Sequence, residues 1–337
     1  MTEPLLPVRH PQNDLFICDL GDVIPKSDIA SMEHPLFTLS TKPDTNIRSY
    51  EHNGNTVTII PSAIGLATIH DKDILIYCIS QLMAGINRGQ EPSNIIRFKA
   101  HDLLVSTNRQ TDGDGYKRLN QALDRLSGAL IKTNIKTNNE IIDDRFHILD
   151  SATIIRENPI DETSRMVEIK IKLSDWLYNA VLGKEVLSIN QQYFRLRKPI
   201  ERRIYEIARK HCGNQKKWHI GLKNLHKKVG SSGNVRLFKQ AVKHIIENNH
   251  LPDYSLHFDG DNIVFRNKNW EGEISQSSED RKILLSPETV EKAKKILGRE
   301  FDVYVVESEW LKWIEGKEVA KTTDGAFIGF CKNKIVK

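Results

Sequence analysis

Four polar side chains near residue 240 have the types and the spacing that base recognition in DNA requires. They are Arg236, Lys239, Gln240 and Lys243. Their spacing of i, i+3, i+4 and i+7 places them on one stripe of a helix. A helix about 10 Å across fits the major groove, where Arg and Lys pair with guanine and Gln pairs with adenine. The pattern predicts base contacts, and a solvated charged face is the alternative.

Positive charge is concentrated around these side chains. Residues 195–250 carry fifteen Lys and Arg against three acids, a net charge of +12, whereas the whole chain carries +5. Such a concentration is typical of an element that binds a polyanion. The cations near residue 200 are expected to bind phosphates. The alternative is that some of them pair with Glu201 and Glu206, or with acidic residues elsewhere in the chain. The further candidates for DNA contact are Asn234, Ser231, Ser232, Lys223, Lys227, Lys228, Arg195, Arg197, Lys198, Arg202, Arg203, Lys216 and Lys217.

The elements around this segment follow the order of a winged helix-turn-helix. Pro199 suits the first turn of a helix that Gly213 ends. A short strand over 218–220 and a helix over 222–229 follow, and the sequence GSSG at 230–233 makes a turn with Ser232 as a plausible N-cap. The next helix, over 234–248, has an apolar stripe that should face the core. A hairpin over 254–266, turning at Asp259 and Gly260, completes the predicted wing.

The same order is predicted earlier in the chain, so the fold contains a two-fold internal repeat. A strand over 56–60 and a short helix over 61–68 come first, followed by a helix over 71–87. The repeated part then has a strand over 95–99, helices over 101–106 and 116–130, and strands over 131–137, 146–155 and 166–173. Residues 174–190 link the two copies, with a helix as the expected structure.

The first copy repeats the shape without the charge. Residues 57–180 carry fifteen bases and sixteen acids, a net charge of −1. The polar surface of its candidate recognition helix carries Lys117, Arg118, Gln121 and Arg125 together with Asp124. Two interpretations remain open for this copy, a weaker contact with DNA and a protein–protein surface such as a dimer interface.

The fold class expected from these patterns is α+β, with tandem winged helix-turn-helix domains. Residues 1–55, with eight acids and six prolines, are expected to form an irregular N-terminal arm. Two alternatives are open for it, docking of its apolar positions 15–18 and 36–39 on the next domain and a partly disordered tail. Residues 56–190 form the first winged helix, and residues 191–270 the second, basic one. Residues 271–337 form a linker and a small helical region, with helical patterns over 287–297 and 303–314.

Several classes of protein are excluded by composition and motif. No apolar run approaches the ~20 residues that span a bilayer, and the N-terminus lacks the pattern of a secretory signal. The four scattered cysteines fit reduced thiols in a cytoplasm. A nucleotide-binding loop of the form GxxxxGK[ST] and a histidine–cysteine pattern with metal-ligand spacing are both missing. The sequence therefore predicts no catalytic residue, metal, cofactor or membrane partner.

Long blocks of the chain resemble the plasmid replication initiator protein A family. These blocks are SMEHPLFTLSTKPDT (31–45), YEHNG (50–54), DKDILIYCISQLMAGINRG (71–89), LSDWLYNAVL (173–182) and YFRLRKPIERRIYEIARKHCG (193–213). The likeness runs from about residue 14 to about residue 268. It implies a non-enzymatic initiator of the iteron type, whose two winged helices bind double-stranded origin DNA containing direct repeats. By analogy it also implies host replication proteins as partners and a possible homodimer.

Three other functions fit the same residues, one of them that of a plasmid-partition or structural DNA-coating protein with little preference among sequences. A sequence-specific transcriptional repressor, acting for instance on its own gene, would need the same fold and the same basic helix. An origin-nicking or primer-making enzyme is disfavoured, because no pair of histidines flanks a single hydrophobic residue as the metal site of a nicking initiator requires.

Overall fold

Helices and short antiparallel strands make up the chain in the computed structural model, which describes residues 3–10, 17–18, 21–52, 55–134, 144–156, 166–270, 285, 287–297, 303, 306–307, 310, 313 and 323–335. The helices are α1 (Ile29–Glu33), α2 (Lys72–Asn87), α3 (Ala100–Ser106), α4 (Gly113–Gly128), α5 (Asp175–Leu182), α6 (Pro199–His211), α7 (Leu222–Val229), α8 (Val235–Asn248), α9 (Pro287–Leu297) and α10 (Thr323–Ile335). A 3-10 helix spans Gln191–Arg195.

The strands are β1 (Ile17–Cys18), β2 (Gly21–Asp22), β3 (Lys26–Asp28), β4 (Arg48–His52), β5 (Asn55–Ile60), β6 (Ile95–Lys99), β7 (Leu130–Thr133), β8 (Asp144–His147), β9 (Leu149–Arg156), β10 (Met166–Leu173), β11 (Val186–Ser188), β12 (Lys217–Gly221), β13 (Tyr254–Asp259) and β14 (Asn262–Asn267). The chain divides into two units, Met1–Trp270 and Glu271–Lys337.

Two winged helices lie within the first unit, as the sequence predicts. The first is built from α2, β6, α3, α4, β9 and β10, and the second from α6, β12, α7, α8, β13 and β14. Their sheets have the same antiparallel order, β6–β10–β9 in the first and β12–β14–β13 in the second. In each sheet the last strand of the copy lies in the middle, paired with both others. The internal repeat is therefore confirmed at the level of sheet topology.

The wing of the second copy forms where the turn residues predict it. β13 and β14 pair from Tyr254 with Asn267 to Asp259 with Asn262. Gly260 in the connecting turn has a φ of +57°, a left-handed conformation that glycine adopts without steric cost. The tight turn fixes the register, and the alternation of buried and exposed residues places Leu256, Ile263 and Phe265 in the core.

Helix α2 is buried almost all round. Its residues from Lys72 to Gly85 are buried, and the continuous apolar run over 74–79 covers every face of the helix. The helix contacts β3, α3 and α5, which together enclose it. Its polar side chains are consequently enclosed as well, and Lys72 and Asp73 are at most 1% exposed. A buried helix of this kind requires charged partners from elsewhere in the fold.

A second sheet, of order β4–β5–β7–β8, adds to the first winged helix. The predicted single strand over 146–155 is divided into β8 and β9, which belong to different sheets. His147 ends one strand and Leu149 begins the next, so the chain changes sheets within two residues. Helix α4 lies against both strands, with Leu119, Leu123 and Leu126 fully or nearly fully buried.

Two helices predicted from the sequence differ from the structure, one because it does not form and one because it ends early. Residues 61–68 form turns and not a helix, because Gly65 has a φ of +103° and the amide of Leu66 donates to the carbonyl of Asp44. The helix predicted over 174–190 ends at Leu182. After it, the backbone is left-handed at Lys184 and then pairs as strand β11 with β3 of the N-terminal segment. In both places a pairing with residues far away in the sequence replaces local helical hydrogen bonds.

The N-terminal segment is more regular than an irregular arm, since it contains β3, α1 and β4. The predicted docking of its apolar positions 36–39 is confirmed, because Leu36 and Phe37 are only 5% exposed and belong to the main core. Residues 3–10 reach both copies. The amide of Leu6 donates to the carbonyl of Arg195, and the amide of Arg9 donates to Oδ1 of Asn108. The segment therefore packs across both winged helices.

The second unit has its own small core. Its buried apolar residues are Ala293, Leu297, Val303, Val306, Trp310, Phe327 and Cys331. The ring of Trp310 lies 5.1 Å from that of Phe327, which ties α10 into this core. Helix α9 has the bounds predicted from the sequence, whereas α10 was not predicted as a helix. Most of the pattern predicted over 303–314 lies outside the described residues.

Candidate nucleic-acid interface

The turn of the second helix-turn-helix is formed by Gly230 and the residues that follow it. Gly230 ends α7 with a φ of +75°, and a Cβ at this position would meet Cβ of Pro35 at 2.5 Å. Both the left-handed backbone and the close approach of Pro35 therefore require glycine. Helix α8 starts after Asn234, whose Oδ1 accepts from the amide of Arg236 at 2.8 Å. Asn234, and not Ser232, is the N-cap.

A histidine fixes the turn from the side of α7. Nε2 of His226 lies 2.8 Å from the carbonyl oxygen of Gly233, to which the protonated ring nitrogen donates. The same ring packs edge-on against Phe238, with 5.1 Å between the ring centroids. Phe238, Val242 and Ile245 are the buried side chains of α8. His226 thus joins the turn to the core face of α8.

The opposite face of α8 carries the predicted base-contacting residues. Arg236, Gln240 and Lys243 are exposed to solvent. Lys239 is half-buried, because its Nζ lies over the ring of Phe258 in the wing, 5.6 Å from the centroid. This contact draws Lys239 towards the wing and away from the centre of the exposed stripe. The structure therefore brings three of the four residues together on one open surface.

Further predicted candidates on the elements that precede α8 are exposed as well. Lys223 and Lys227 are exposed on α7, and Lys216 and Lys217 are exposed where β12 begins. Ser232 and Asn234 are exposed in the turn, and Ser231 is half-buried. We use the name basic face for Arg236, Gln240 and Lys243 together with Lys223 and Lys227.

Arg202 does not lie on the surface, so the prediction that it grips phosphate is wrong. Its guanidinium is 2.6 Å from Oδ1 of Asp73 and donates to the carbonyls of Phe194 and Leu196. Burial acts to lower the pKa of Arg202, but the charge and hydrogen bond of Asp73, together with Tyr193 and Glu206, outweigh it, so the pKa is raised. The charge of Arg202 joins α6 of the second winged helix to α2 of the first.

Arg203 is also buried and is not a phosphate contact. Its guanidinium donates to the carbonyls of Ser31, Met32 and Glu33 at the end of α1, and to the carbonyl of Lys228 at the end of α7. It also lies 3.2 Å from the carboxylate of Glu206, which forms an ion pair with the ammonium group of Lys72 of α2 at 2.8 Å. Arg203 consequently positions the last turn of α7, immediately before the helix-turn-helix turn.

Lys228 differs from Lys227 because its ammonium group is engaged. The side chain is 12% exposed, and its ammonium group donates a hydrogen bond to the carboxylate of Glu33. The same carboxylate also pairs with the ammonium group of Lys210 and lies 2.9 Å from Nε2 of His211. Burial acts to raise the pKa of Glu33, but the hydrogen bonds from His211, Lys210 and Lys228 hold it far below its usual range. The prediction that Lys228 contacts phosphate is therefore wrong in this structure.

The three cations just before α6, Arg195, Arg197 and Lys198, differ in how far they are exposed to solvent. Arg195 is half-buried, with its Nε donating to the carbonyl of Leu6 at 2.9 Å and an Nη donating to Gln192 at 2.8 Å. Arg197 and Lys198 are exposed, and Nζ of Lys198 lies 3.9 Å from Glu201. Of this group, Arg197 and Lys198 present their charges to solvent.

The first winged helix exposes Lys117, Arg118 and Gln121 on α4. Acids accompany them, with Asp112 as the N-cap, Asp114 in the first turn and Asp124 on the surface. Arg118 hydrogen-bonds to Gln110. Arg125 is bound through two nitrogen atoms to Asp71, at 2.7 and 2.9 Å. This helix offers DNA fewer uncompensated cations than α8 does.

Sequence reasoning missed the part of the N-terminal segment that supports the second turn. Pro35 packs against Gly230, and Glu33 forms ion pairs with Lys210 and Lys228. No local spacing links these residues to a helix almost 200 positions later. The one sequence signal was that both lie within the block of residues 31–45 that carries the family resemblance.

Other kinds of site have no support in the described residues. Among them, no group of three or more His, Cys, Asp or Glu side chains is arranged to hold a metal ion. The helices that the structure describes include none with the length and apolar character needed to cross a bilayer.

Comparison with known proteins identifies the family. Residues 26–256 match the family model described as replication initiator protein A. The chain belongs to the replication initiator protein A family. A putative replication protein of Wigglesworthia glossinidia brevipalpis is 43% identical over 235 residues, which cover 69% of this chain and 84% of that protein. The resemblance read from the sequence blocks is thereby confirmed.

Solved structures extend the likeness to the fold. The crystal structure of domains 2 and 3 of RctB aligns with a TM-score of 0.51 at 11% identity, covering 72% of this chain and 98% of that one. The Pi initiator protein, solved in complex with iteron DNA, aligns with a TM-score of 0.41 at 17% identity, covering 60% of this chain and 92% of that one. The first comparison supports the fold, and the second is too weak to do so.

Proposed function

We propose that this initiator binds double-stranded DNA through its second winged helix, with α8 in the major groove. The observation that carries the proposal is the exposed stripe of Arg236, Gln240 and Lys243, opposite a fully packed core face. Arg and Lys donate to guanine, and the Gln amide matches adenine. Because the core face already holds the helix in place, the polar stripe is free to serve recognition.

Phosphate contacts on either side of α8 would set its position in the groove. Lys223 and Lys227 lie on α7, which precedes the recognition helix, and Lys216 and Lys217 lie at the start of β12. All four are exposed. Arg197, Lys198 and the turn residues Ser231, Ser232 and Asn234 are the remaining candidates at the surface. These contacts would supply affinity without base preference.

The DNA that we propose as the target is a set of direct repeats at a plasmid replication origin. Membership in the replication initiator family supports this choice over a plain repressor with the same fold. We also propose action in the cytoplasm, host replication proteins as partners and a possible homodimer. The first winged helix would either make a weaker DNA contact through Lys117, Arg118 and Gln121 or form the dimer surface.

The salt dependence of binding tests the DNA proposal. If the protein neutralises about 6 phosphates, log affinity falls against log salt with a slope near −5. The measurement uses the full chain and a duplex selected by it from a random pool. A slope near −1 would contradict the assignment of the basic face as the DNA site.

A replication assay separates the initiator from the repressor. A minimal plasmid carrying this gene and its flanking DNA, with no other initiator, should replicate in a host. Failure to replicate, with repression of a reporter retained, would favour the repressor.

We further propose that the chain does not cut DNA. The exposed part of α8 from Arg236 to Lys243 presents cations and an amide, without a carboxylate to act as a base. Supercoiled origin DNA incubated with the protein and Mg²⁺ should remain supercoiled. The appearance of nicked circles would contradict this proposal.

A further inference from the structure

The structure describes every residue of helix α8. One large apolar side chain among them is exposed, that of Leu237. It is 62% exposed, whereas Phe238, Val242 and Ile245 of the same helix are at most 3% exposed. The helix is therefore held by its opposite face, and the fold gains little from Leu237. A single exposed leucine is ordinary on a protein surface, so its position must decide whether it has a role.

The position of Leu237 is the first turn of the recognition helix. It follows Arg236 directly and lies three residues before Gln240, so it borders the exposed stripe. In helix-turn-helix proteins, the N-terminal residues of this helix approach the edges of the bases. Leu237 lies on the flank away from Lys239, the residue that contacts the wing. An apolar group is thus presented beside two candidate base-contacting side chains.

We propose that Leu237 forms an apolar subsite for the 5-methyl group of a thymine in the major groove. Thymine is the base that presents a methyl group there, and apolar side chains recognise it by contact. The proposal rests on the proposed function, because it requires α8 to lie in the groove. It adds a position at which the protein distinguishes thymine from the other bases without a hydrogen bond.

The charges around Leu237 favour DNA over a second copy of this chain as the occupant. Of the basic face, Arg236 and Lys243 are exposed on α8, and Lys223 and Lys227 are exposed on α7, the helix that precedes it. A two-fold contact through this face would bring the same cations of both copies together, which is unfavourable. A DNA groove lined by phosphates is attracted by the same charges.

The test removes the methyl group from the DNA and the leucine from the protein. Duplexes selected by the wild-type full-length protein are remade with each thymine replaced singly by deoxyuridine, which lacks only the 5-methyl group. Burial of one methyl contributes about 0.8 kcal/mol, which corresponds to about fourfold in affinity. Wild type should lose about fourfold at one thymine position, and Leu237→Ala should show no loss at that position.

A matched control and a second measurement complete the test. Leu182, 43% exposed at the end of α5, is an exposed leucine far from α8 in sequence, and Leu182→Ala should keep the wild-type response. Thermal unfolding should show that Leu237→Ala folds as wild type does, since the side chain is exposed. Sedimentation should show the same oligomeric state.

Each contrary outcome has a distinct meaning. Equal losses for wild type and Leu237→Ala, or no loss at any thymine, would overturn the subsite while leaving the DNA proposal intact. A changed oligomeric state in Leu237→Ala would overturn it in favour of a protein contact. If the wild-type protein selects no sequence at all, the proposed function fails and the subsite fails with it.

Discussion

Lys227 and Lys228 are neighbours on α7 with the same charge, yet the structure predicts different results when each is changed to alanine. Lys227 is exposed, whereas Lys228 is 12% exposed and bonded to Glu33. Lys227→Ala should remove one phosphate contact and leave the free energy of unfolding unchanged. Lys228→Ala should leave the salt slope unchanged and lower the stability.

The magnitudes follow from the partners of each ammonium group. Loss of one phosphate contact changes the slope of log affinity against log salt by about 0.9, which is about fivefold in affinity at 0.15 M salt. The loss should be equal for the selected site and for random DNA, because phosphate contacts do not read sequence. Loss of one charged hydrogen bond to the partly buried Glu33 should cost about 1–3 kcal/mol.

The assay measures both quantities on both variants. The slope of log affinity against log salt is measured by fluorescence anisotropy with a labelled duplex, at salt concentrations from about 0.05 to about 0.2 M. Urea unfolding gives the stability. The pair is informative because each variant is the control for the other.

One pattern of results would refute the reasoning. If Lys228→Ala changed the slope as much as Lys227→Ala and left the stability unaltered, Lys228 would contact DNA and its bond to Glu33 would be unimportant. The position of the N-terminal segment beside α7 would then need revision.

Three further predictions concern base reading, the turn and acid stability. Arg236→Ala should cost about 1–3 kcal/mol of discrimination at one base pair, measured by competition with sites changed one pair at a time; an unchanged site preference would contradict the placement of α8. Gly230→Ala should destabilise the fold by about 1–3 kcal/mol in urea unfolding, since it strains the backbone and strikes Pro35. Gly260→Ala, with open space around it, is the control that should cost less. Burial lowers the pKa of His34 to about 4, below the value of about 6.5 in the unfolded chain. Because the unfolded chain then binds the proton at a higher pH than the folded chain does, the free energy of unfolding should fall as the pH drops from about 6.5 towards about 4, by up to about 3 kcal/mol. His34→Gln should flatten that part of the pH profile, and a profile identical to wild type would contradict it.

The repeated winged helix could be predicted from the sequence because its signals are local. The apolar stripe of α8, proline at the start of α6 and glycine at the end of α7 each report a structure formed within a few residues. Periodicity and turn chemistry are sufficient for such elements. The exposed stripe of Arg236, Gln240 and Lys243 follows from the same periodicity.

The helix predicted over 61–68 was wrong because its competitor is distant. Asp44 and Thr38 of the N-terminal segment take the backbone hydrogen bonds of Leu66 and Ile69. β11 is similar, since β3 pairs with it across more than 150 residues. Local propensity is a weak preference that such tertiary pairing overrides.

The sequence by itself determined the two winged helices and the concentration of positive charge around the second. It could not determine which cations face solvent, because a count of charges gives no information about partners. The tertiary structure decided that Arg202, Arg203 and Lys228 are bound to Asp73, Glu206 and Glu33 in the interior or at its edge. A buried charge requires a partner, and here the partners come from α2, from α6 itself and from the N-terminal segment. Lys223, Lys227 and the stripe on α8 have no such role within the described residues, and the DNA contact that we propose rests on them.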